Sequence, residues 1–369
     1  MASSLGDLRV VDFSRVLAGP FATMLLADLG ATVTKIERPG TGDDTRGWGP
    51  PFDESGQATY FQSVNRNKDS ITLDLTDERD LARARELVRG ADVVVENFRP
   101  GLMNRLGLGY DDLCADNPGL VYCSITGFGR DKGAELPGYD LLIQALGGLM
   151  SITGSPEGEP QKVGVAMVDV VAGLFATVGL LAAVRHRDAT GEGQRVEINL
   201  LSSLLAALVN QAAGYTAGGV VPRRMGNAHP SVAPYEVLPC GDGELVLAVG
   251  NDRQFATLCA ELGAPRLAAD DRYATNTARV AHREPLRAEL VRLLSARSAA
   301  DWAKELSAAR VPAGVVNDLA GAFALATDLG LDPVVGIERG DGTTARLTRN
   351  PIGLSATPPT YRSAPPPLG

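Results

Sequence analysis

The stretch Val163–Val184, VGVAMVDVVAGLFATVGLLAAV, carries a single charged residue, Asp169. A segment this apolar must be enclosed, by a bilayer or by the rest of the protein. Burying a carboxylate costs free energy unless it is paired or its pKa shifts. Asp169 therefore reads as the N-cap of the helix that follows, as a group kept for chemistry, or as both. A carboxylate at a helix N-terminus is held ionised by the dipole, which suits a nucleophile. Gly164, Gly173, Gly179 and the acid itself interrupt the run, and no second segment resembles a span. It reads as a core element, a buried strand or loop leading into a helix, and not as a membrane anchor.

Around this run the chain alternates between two periodicities. Leu8–Asp12 is a short apolar strand, Gly19-Pro20 opens a helix running to Leu29, Gly30 stops it, and Thr32–Glu37 is the next strand. Strand, helix and strand within about thirty residues form a right-handed βαβ unit. Ser70–Leu75, Ala91–Glu96 and Leu120–Ile125 read as further strands, and Thr76-Asp77 caps a charged helix reaching Val88. Gly191–Leu200 is a turn and strand, Leu201–Ala213 an apolar helix and Gly214–Pro222 a loop. The alternation predicts an α/β, doubly wound parallel sheet. Composition changes after Pro222. Strand Glu244–Val249 and helices near Arg253–Leu262, Glu284–Leu294 and Ala299–Arg310 suggest a smaller α+β domain. We divide the chain into a large domain at 1–215, a small one at 225–325 and a C-terminal segment at 330–369. The Pro-rich tail from Pro351 runs extended over the surface.

With 35 basic against 44 acidic residues and a net charge of -9, nucleic acid is not the expected partner. Four cysteines without CxxC spacing and three histidines (His186, His229, His282) give no metal-ligand cluster. They fit free thiols in a reducing compartment. The N-terminal MASSLGDLRVVDFS lacks the basic and apolar regions of a signal peptide, and a cytoplasmic location is expected.

No nucleotide fingerprint follows the first strand, where the chain reads SRVLAGPFA. There is no Walker A sequence and no GxSxG elbow. What remains is a Rossmann-like scaffold with Asp169 and a set of residues at strand ends. Arg38 follows TVTKIE, Asn97-Phe98-Arg99 follow ADVVVE, and Arg105 lies a turn later. Ligands of open α/β sheets bind beyond the carboxyl ends of the strands. Cations beside an aromatic platform there suit a phosphorylated, adenine-bearing ligand.

Five segments carry a more specific signal: GPFATMLLADLGATVTKIERPGTGDDTRGW, VENFRPGLMNRLGLGYDDL, ITGFG, PGYDLLIQALGGLMSITG and VGVAMVDVVAGLFATVGLLAAVRHRDATGEGQRVEINL. Over essentially its whole length the chain resembles the family III CoA-transferases, the formyl-CoA and carnitine-CoA transferase group, which also contains 2-methylacyl-CoA racemases. The resemblance implies a Rossmann-like large domain and a smaller α+β domain joined by two linkers. It also implies a C-terminal segment that returns to the large domain, and two subunits interlocked as a homodimer. It implies an acyl-CoA and a small carboxylic acid as substrates, the CoA thioester being a substrate and no cofactor or metal being required. The family's nucleophilic aspartate falls on Asp169. Its CoA-contacting positions fall on Val16, Leu17, Arg38, Leu73, Asn97, Phe98, Arg99, Arg105 and Tyr139.

Transferase and racemase remain as alternatives. A racemase removes and returns a proton alpha to the thioester carbonyl, which takes two acid–base groups. The racemases carry His-Asp where this chain has Tyr139-Asp140, and tyrosine is a poor base near neutrality. The transferase reading is covalent catalysis by Asp169 through aspartyl anhydride and aspartyl-CoA thioester intermediates. The thioester's energy is conserved only if water is kept out, and Met225–Pro234 is the candidate covering loop. It lacks the consecutive glycines of the formyl-transferases. His229 within it is a structuring residue or, less simply, a second base. Arg46, in DTRGW, is a candidate for attracting a carboxylate at the entrance.

Overall fold

The computed structural model describes residues 3–369. Six strands, β1 (Arg9–Asp12), β2 (Thr32–Glu37), β3 (Lys68–Thr72), β4 (Val93–Glu96), β5 (Val121–Thr126) and β6 (Arg195–Asn199), form one parallel sheet in the order β3-β2-β1-β4-β5-β6. This is the doubly wound arrangement expected from the alternation. The order reverses between β1 and β4, so the chain leaves these two strands in opposite directions and opens a crevice at their carboxyl ends. The third strand begins two residues before Ser70 and ends at Thr72. Its apolar alternation continues to Leu75, but pairing with β2 stops where Glu37 ends.

Helix α1 (Ala18–Asp28) follows β1, α2 (Glu78–Arg89) is capped by the Asp77 carboxylate, and α3 (Asp140–Leu146) precedes the long helix α4 (Met167–Thr190). One face of the sheet (Val10, Val93, Val95, Val121, Cys123) packs against α1 and α4. The other (Val11, Phe13, Val94, Tyr122) packs against α2 and the turns after β4. By length and apolarity alone α4 could cross a membrane. Its stripe Val168, Ala172, Ala176, Leu180 and Ala183 instead lies in the core beside the sheet. Gly173 permits close approach: a Cβ there would stand 2.7 Å from the Ala18 carbonyl oxygen.

The helix predicted over Leu201–Ala213 is two, α5 (Leu200–Ala207) and α6 (Val209–Thr216), broken where Val209 takes φ 32. The predicted loop from Gly214 begins later, because α6 reaches Thr216.

The chain divides into two units, one of Met1–Leu149, Lys162–Val220 and Asp332–Gly369, the other of Met150–Gln161 and Val221–Leu331. Met150–Gln161 thus separates from a large domain drawn as 1–215, and Asp332–Gly369 belongs with the sheet. The first unit contains a hairpin that periodicity did not reveal, β10 (Val334–Glu338) and β11 (Thr344–Thr348). The tail beyond it is anchored by a buried polar knot. Asp28, fully buried, pairs with Arg66 at 2.6 Å and accepts from Asn67 and Asn350. Asn67 in turn accepts from the backbone of Arg362 and Ser363.

The second unit is a three-stranded antiparallel sheet, β7 (Tyr235–Pro239), β8 (Glu244–Ala248) and β9 (Ala313–Val315). Helices α7 (Asp252–Glu261), α8 (Arg283–Leu294) and α9 (Ala299–Ala308) pack on it around Leu245, Leu247, Phe255, Leu290 and Trp302.

Candidate active site

The crevice between β1 and β4 is closed at its base by two reciprocal hydrogen bonds. Asn97 Oδ1 accepts from Arg15 N and Asn97 Nδ2 donates to Arg15 O, both at 2.8 Å. The next residue, Val16, sits at φ 68, a strained conformation for a β-branched side chain. Buried charges hold it there. Its N–H donates to the Asp43 carboxylate, which pairs with Lys35 at 2.9 Å, and Lys35 Nζ donates to Ser14 O. Burial opposes ionisation of Asp43, but Lys35 and the Thr45 hydrogen bonds outweigh it and carry the carboxyl down to about 2. Asp12 is likewise held below its ordinary range, burial being outweighed by Lys68 and Lys35. The strained turn therefore rests on an ionised frame and delivers Leu17 and the first turn of α1 to the crevice.

Asp169 is not an N-cap. Ala166 occupies that position without a capping side chain, and Asp169 is the third residue of α4. The cap comes across space from α3. Asp140 Oδ1 accepts from Val168 N at 2.8 Å and from Asp169 N at 3.2 Å, satisfying two of the orphan N–H groups of the first turn. Gln144, fully buried one turn on, donates to Asp140 Oδ2 at 2.6 Å and accepts from Val163 N at 2.9 Å. The Asp140–Gln144 pair so clips both sides of the segment that enters α4. Burial, reinforced by the nearby Asp140 charge, pushes the Asp169 carboxyl up to about 7. The dipole of α4 is outweighed, and Asp169 is poised between acid and carboxylate near neutrality rather than held ionised.

A cavity of about 350 Å³ joins Asp169 to Val16, Leu17, Asn97, Phe98, Arg99 and Tyr139. A second, of about 410 Å³, is lined by Arg38, Leu73 and Phe98 among mainly apolar neighbours. Phe98 and Arg15 border both. Of the nine CoA-contacting positions implied by the family resemblance, Arg105 alone lines neither; it is exposed beside Gly101. Arg46 does not point a free charge at the entrance. It forms a forked pair with Glu37 (2.8 and 2.6 Å), lies 3.7 Å over the Phe61 ring and donates to Pro366 O, which makes it a fastener of the C-terminal tail.

Three groups went unnoticed in the sequence. For Asp140, in PGYD, the sequence signal is its i,i+4 spacing to Gln144. Tyr60 lies near enough that Asp169 and Asp140 add to burial in raising its phenol, and its ring meets Trp48 edge-on at 5.3 Å. Arg15, hidden in SRVLAGP, is the third. In the other unit, the Met225–Pro234 loop is pinned from below. Arg283 donates to His229 O, Asn276 to Ser231 O and Arg279 to Ala233 O, while His229 Nδ1 accepts from Ser231 N. Within its own unit His229 is thus a structuring residue.

Residues 5–369 match the model of CoA-transferase family III. The chain is 45% identical to a succinate–glutarate CoA-transferase of Agrobacterium fabrum, over 99% of this chain and 93% of that one. It is 43% identical to the succinyl-CoA:glutarate CoA-transferase of Mus musculus, over 96% and 83%. Among solved structures, a CAIB/BAIF family protein from Brucella suis superposes with a TM-score of 0.88 at 44% identity, covering 100% of this chain and 97% of that one.

Proposed function

This chain is an enzyme belonging to CoA-transferase family III, and we propose that it moves CoA from a dicarboxylyl-CoA such as succinyl-CoA to a second small dicarboxylic acid through covalent intermediates on Asp169. The observation that carries the reading is the position of Asp169: one carboxyl group, titrating near 7, in the cavity that also receives the start of α1. The dicarboxylate preference is drawn from the names of the two transferase relatives.

The Asp169 carboxylate attacks the thioester carbonyl of the donor; the C–S bond breaks, leaving a mixed anhydride and CoA thiolate. The thiolate attacks the aspartyl carbonyl, the C–O bond breaks, and the donor acid departs as its carboxylate. The acceptor carboxylate attacks the resulting aspartyl-CoA thioester, expelling thiolate and forming a second anhydride. Attack of thiolate on the acceptor's acyl carbon yields the new acyl-CoA and restores Asp169. Each attack builds negative charge on a carbonyl oxygen. The N-terminus of α1, presented at Leu17 and Ala18 on the same cavity, is placed to favour that charge.

A homodimer is part of the reading. In the first unit Leu146, Val178 and Val209 are each about two-thirds exposed (65%, 65% and 66%), and in the second no residue of α10 (Leu319–Asp328) is buried. Apolar surface on this scale fits a second copy. Light scattering at the monomer mass would remove that part.

Incubation with succinyl-CoA, trapping with hydroxylamine and peptide mass spectrometry tests the chemistry. An aspartyl hydroxamate at Asp169 is expected. Exchange of the alpha proton with deuterated water and no adduct would place the protein among the racemases instead.

A further inference from the structure

We propose that Arg15 binds the diphosphate of CoA, forming with Arg38 a two-guanidinium clamp over the crevice between β1 and β4. The inference rests on the CoA-transferase reading above and extends it to a residue that the family resemblance did not supply.

The backbone of Arg15 is immobilised from both sides by Asn97. Its guanidinium lies 4.9 Å from the centre of the Phe98 ring. Among the described residues it makes no side-chain hydrogen bond or ion pair, although it is only partly exposed. Most arginines in such surroundings are paired, as Arg46 and Arg66 are here. Its neighbour makes matters worse, since burial and then the Arg38 charge both disfavour the Arg15 cation. Arg38 is occupied by Asp44, 2.5 Å away on an exposed turn. Of the acids close enough to favour the Arg15 cation, Asp44 pairs with Arg38, Asp43 with Lys35 and Glu37 with Arg46, so none of them is its partner.

The position of this unpaired guanidinium matches the order of groups along CoA. The adenosine lies at one end of the molecule, the thioester at the other and the diphosphate between. One cavity is mainly apolar and suits a base; the other contains Asp169 and suits the thioester. Arg15 borders both cavities and so stands at their junction, where a molecule spanning the two places its diphosphate. Guanidinium groups bind phosphate oxygens through paired N–H donors, and a stacked, pre-positioned one loses little freedom in doing so. On Arg38 a phosphate would compete with the Asp44 carboxylate.

Three succinyl thioesters separate this role from others: succinyl-CoA, its 3′-dephospho form and succinyl-pantetheine. Arg15→Gln is expected to raise KM about tenfold or more for both diphosphate-bearing thioesters. Its kcat should stay close to wild type, its turnover of succinyl-pantetheine should be unchanged, and Arg15→Lys should recover part of the loss. Retained pantetheine turnover also shows that the variant is folded. An equal loss with succinyl-pantetheine would make Arg15 structural. A loss confined to succinyl-CoA would assign it to the 3′-phosphate, and no change in KM would remove it from the site; each overturns the proposal. Failure of the wild-type protein to transfer CoA at all would strike the functional reading instead, and is seen before any variant is made.

Discussion

Asp140 Oδ1 accepts a hydrogen bond from the backbone N–H of Asp169 at 3.2 Å, so that one carboxylate both caps the helix that carries the other and repels its charge. The same side chain thus fixes the position of Asp169 and adds to burial in raising its proton affinity, and substitutions at 140 can separate the two.

Asp140→Asn keeps an oxygen for the Val168 and Asp169 N–H groups and removes the charge. The acidic limb of kcat/KM, expected near pH 7 in the wild type, should move to lower pH. Asp140→Ala also loses the cap, and should lower stability by about 1 kcal/mol besides. A pH–rate profile of the Asn variant superimposable on the wild type would show that Asp140 does not tune the nucleophile.

Asp169→Asn should abolish turnover yet stabilise the protein at alkaline pH. The folded-state pKa of Asp169 is raised to about 7 from an ordinary carboxyl value. The native state therefore binds the proton more tightly than the unfolded chain. Stability is lost as pH rises between the two values and is fully lost above the folded one. Removing the carboxyl should recover on the order of 2 kcal/mol at pH 8.5 and almost none at pH 4. Urea denaturation at the two pH values measures the difference; an equal effect at both would be inconsistent with a shifted Asp169.

Gly173→Ala should cost about 1–3 kcal/mol, because the new methyl meets the Ala18 carbonyl rather than a side chain that can turn away. α1 and α4 both line the Asp169 cavity, through Ala18 and Asp169, so kcat should fall together with the thermal midpoint. Unchanged kcat in a folded variant would show that the interhelical distance does not matter to the reaction.

Asp28→Ala leaves Arg66 buried and unpaired, a change that typically costs about 3–5 kcal/mol. Because Asn67 and Asn350 share that carboxylate, limited proteolysis should release the tail beyond Arg349 before it cuts the sheet. A tail as resistant as in the wild type would refute the anchoring role.

Arg46→Ala should depress turnover of monocarboxylate and dicarboxylate acceptors by the same factor, since Glu37, Phe61 and Pro366 are its partners. Selective loss with dicarboxylates would restore the entrance role suggested by its place in DTRGW.

The central strands were legible because burial on both faces makes them short apolar runs; Val93–Val95 and Val121–Cys123 are examples. The hairpin at 334–348 was not, because its strands are only five residues each and bury only Ile337, Ala345 and Leu347. The insertion at 150–161 has no pattern that assigns it to either unit. Asp169 stood out through its apolar neighbours. The meaning of Arg46 could not be read, since an arginine in a loop looks the same whether a buried glutamate awaits it or solvent does.

The sequence by itself determined the alternation of strands and helices, the apolar course of Val163–Val184 and the single acid within it, because periodicity and polarity are local properties. Only the tertiary structure decided that Asp140 caps α4 from another helix, that Asp169 titrates near 7, and that Arg15 and Phe98 stand where two cavities meet. Those properties depend on burial and on charges brought close by chain crossings, and neither distance nor dielectric is written in the order of residues.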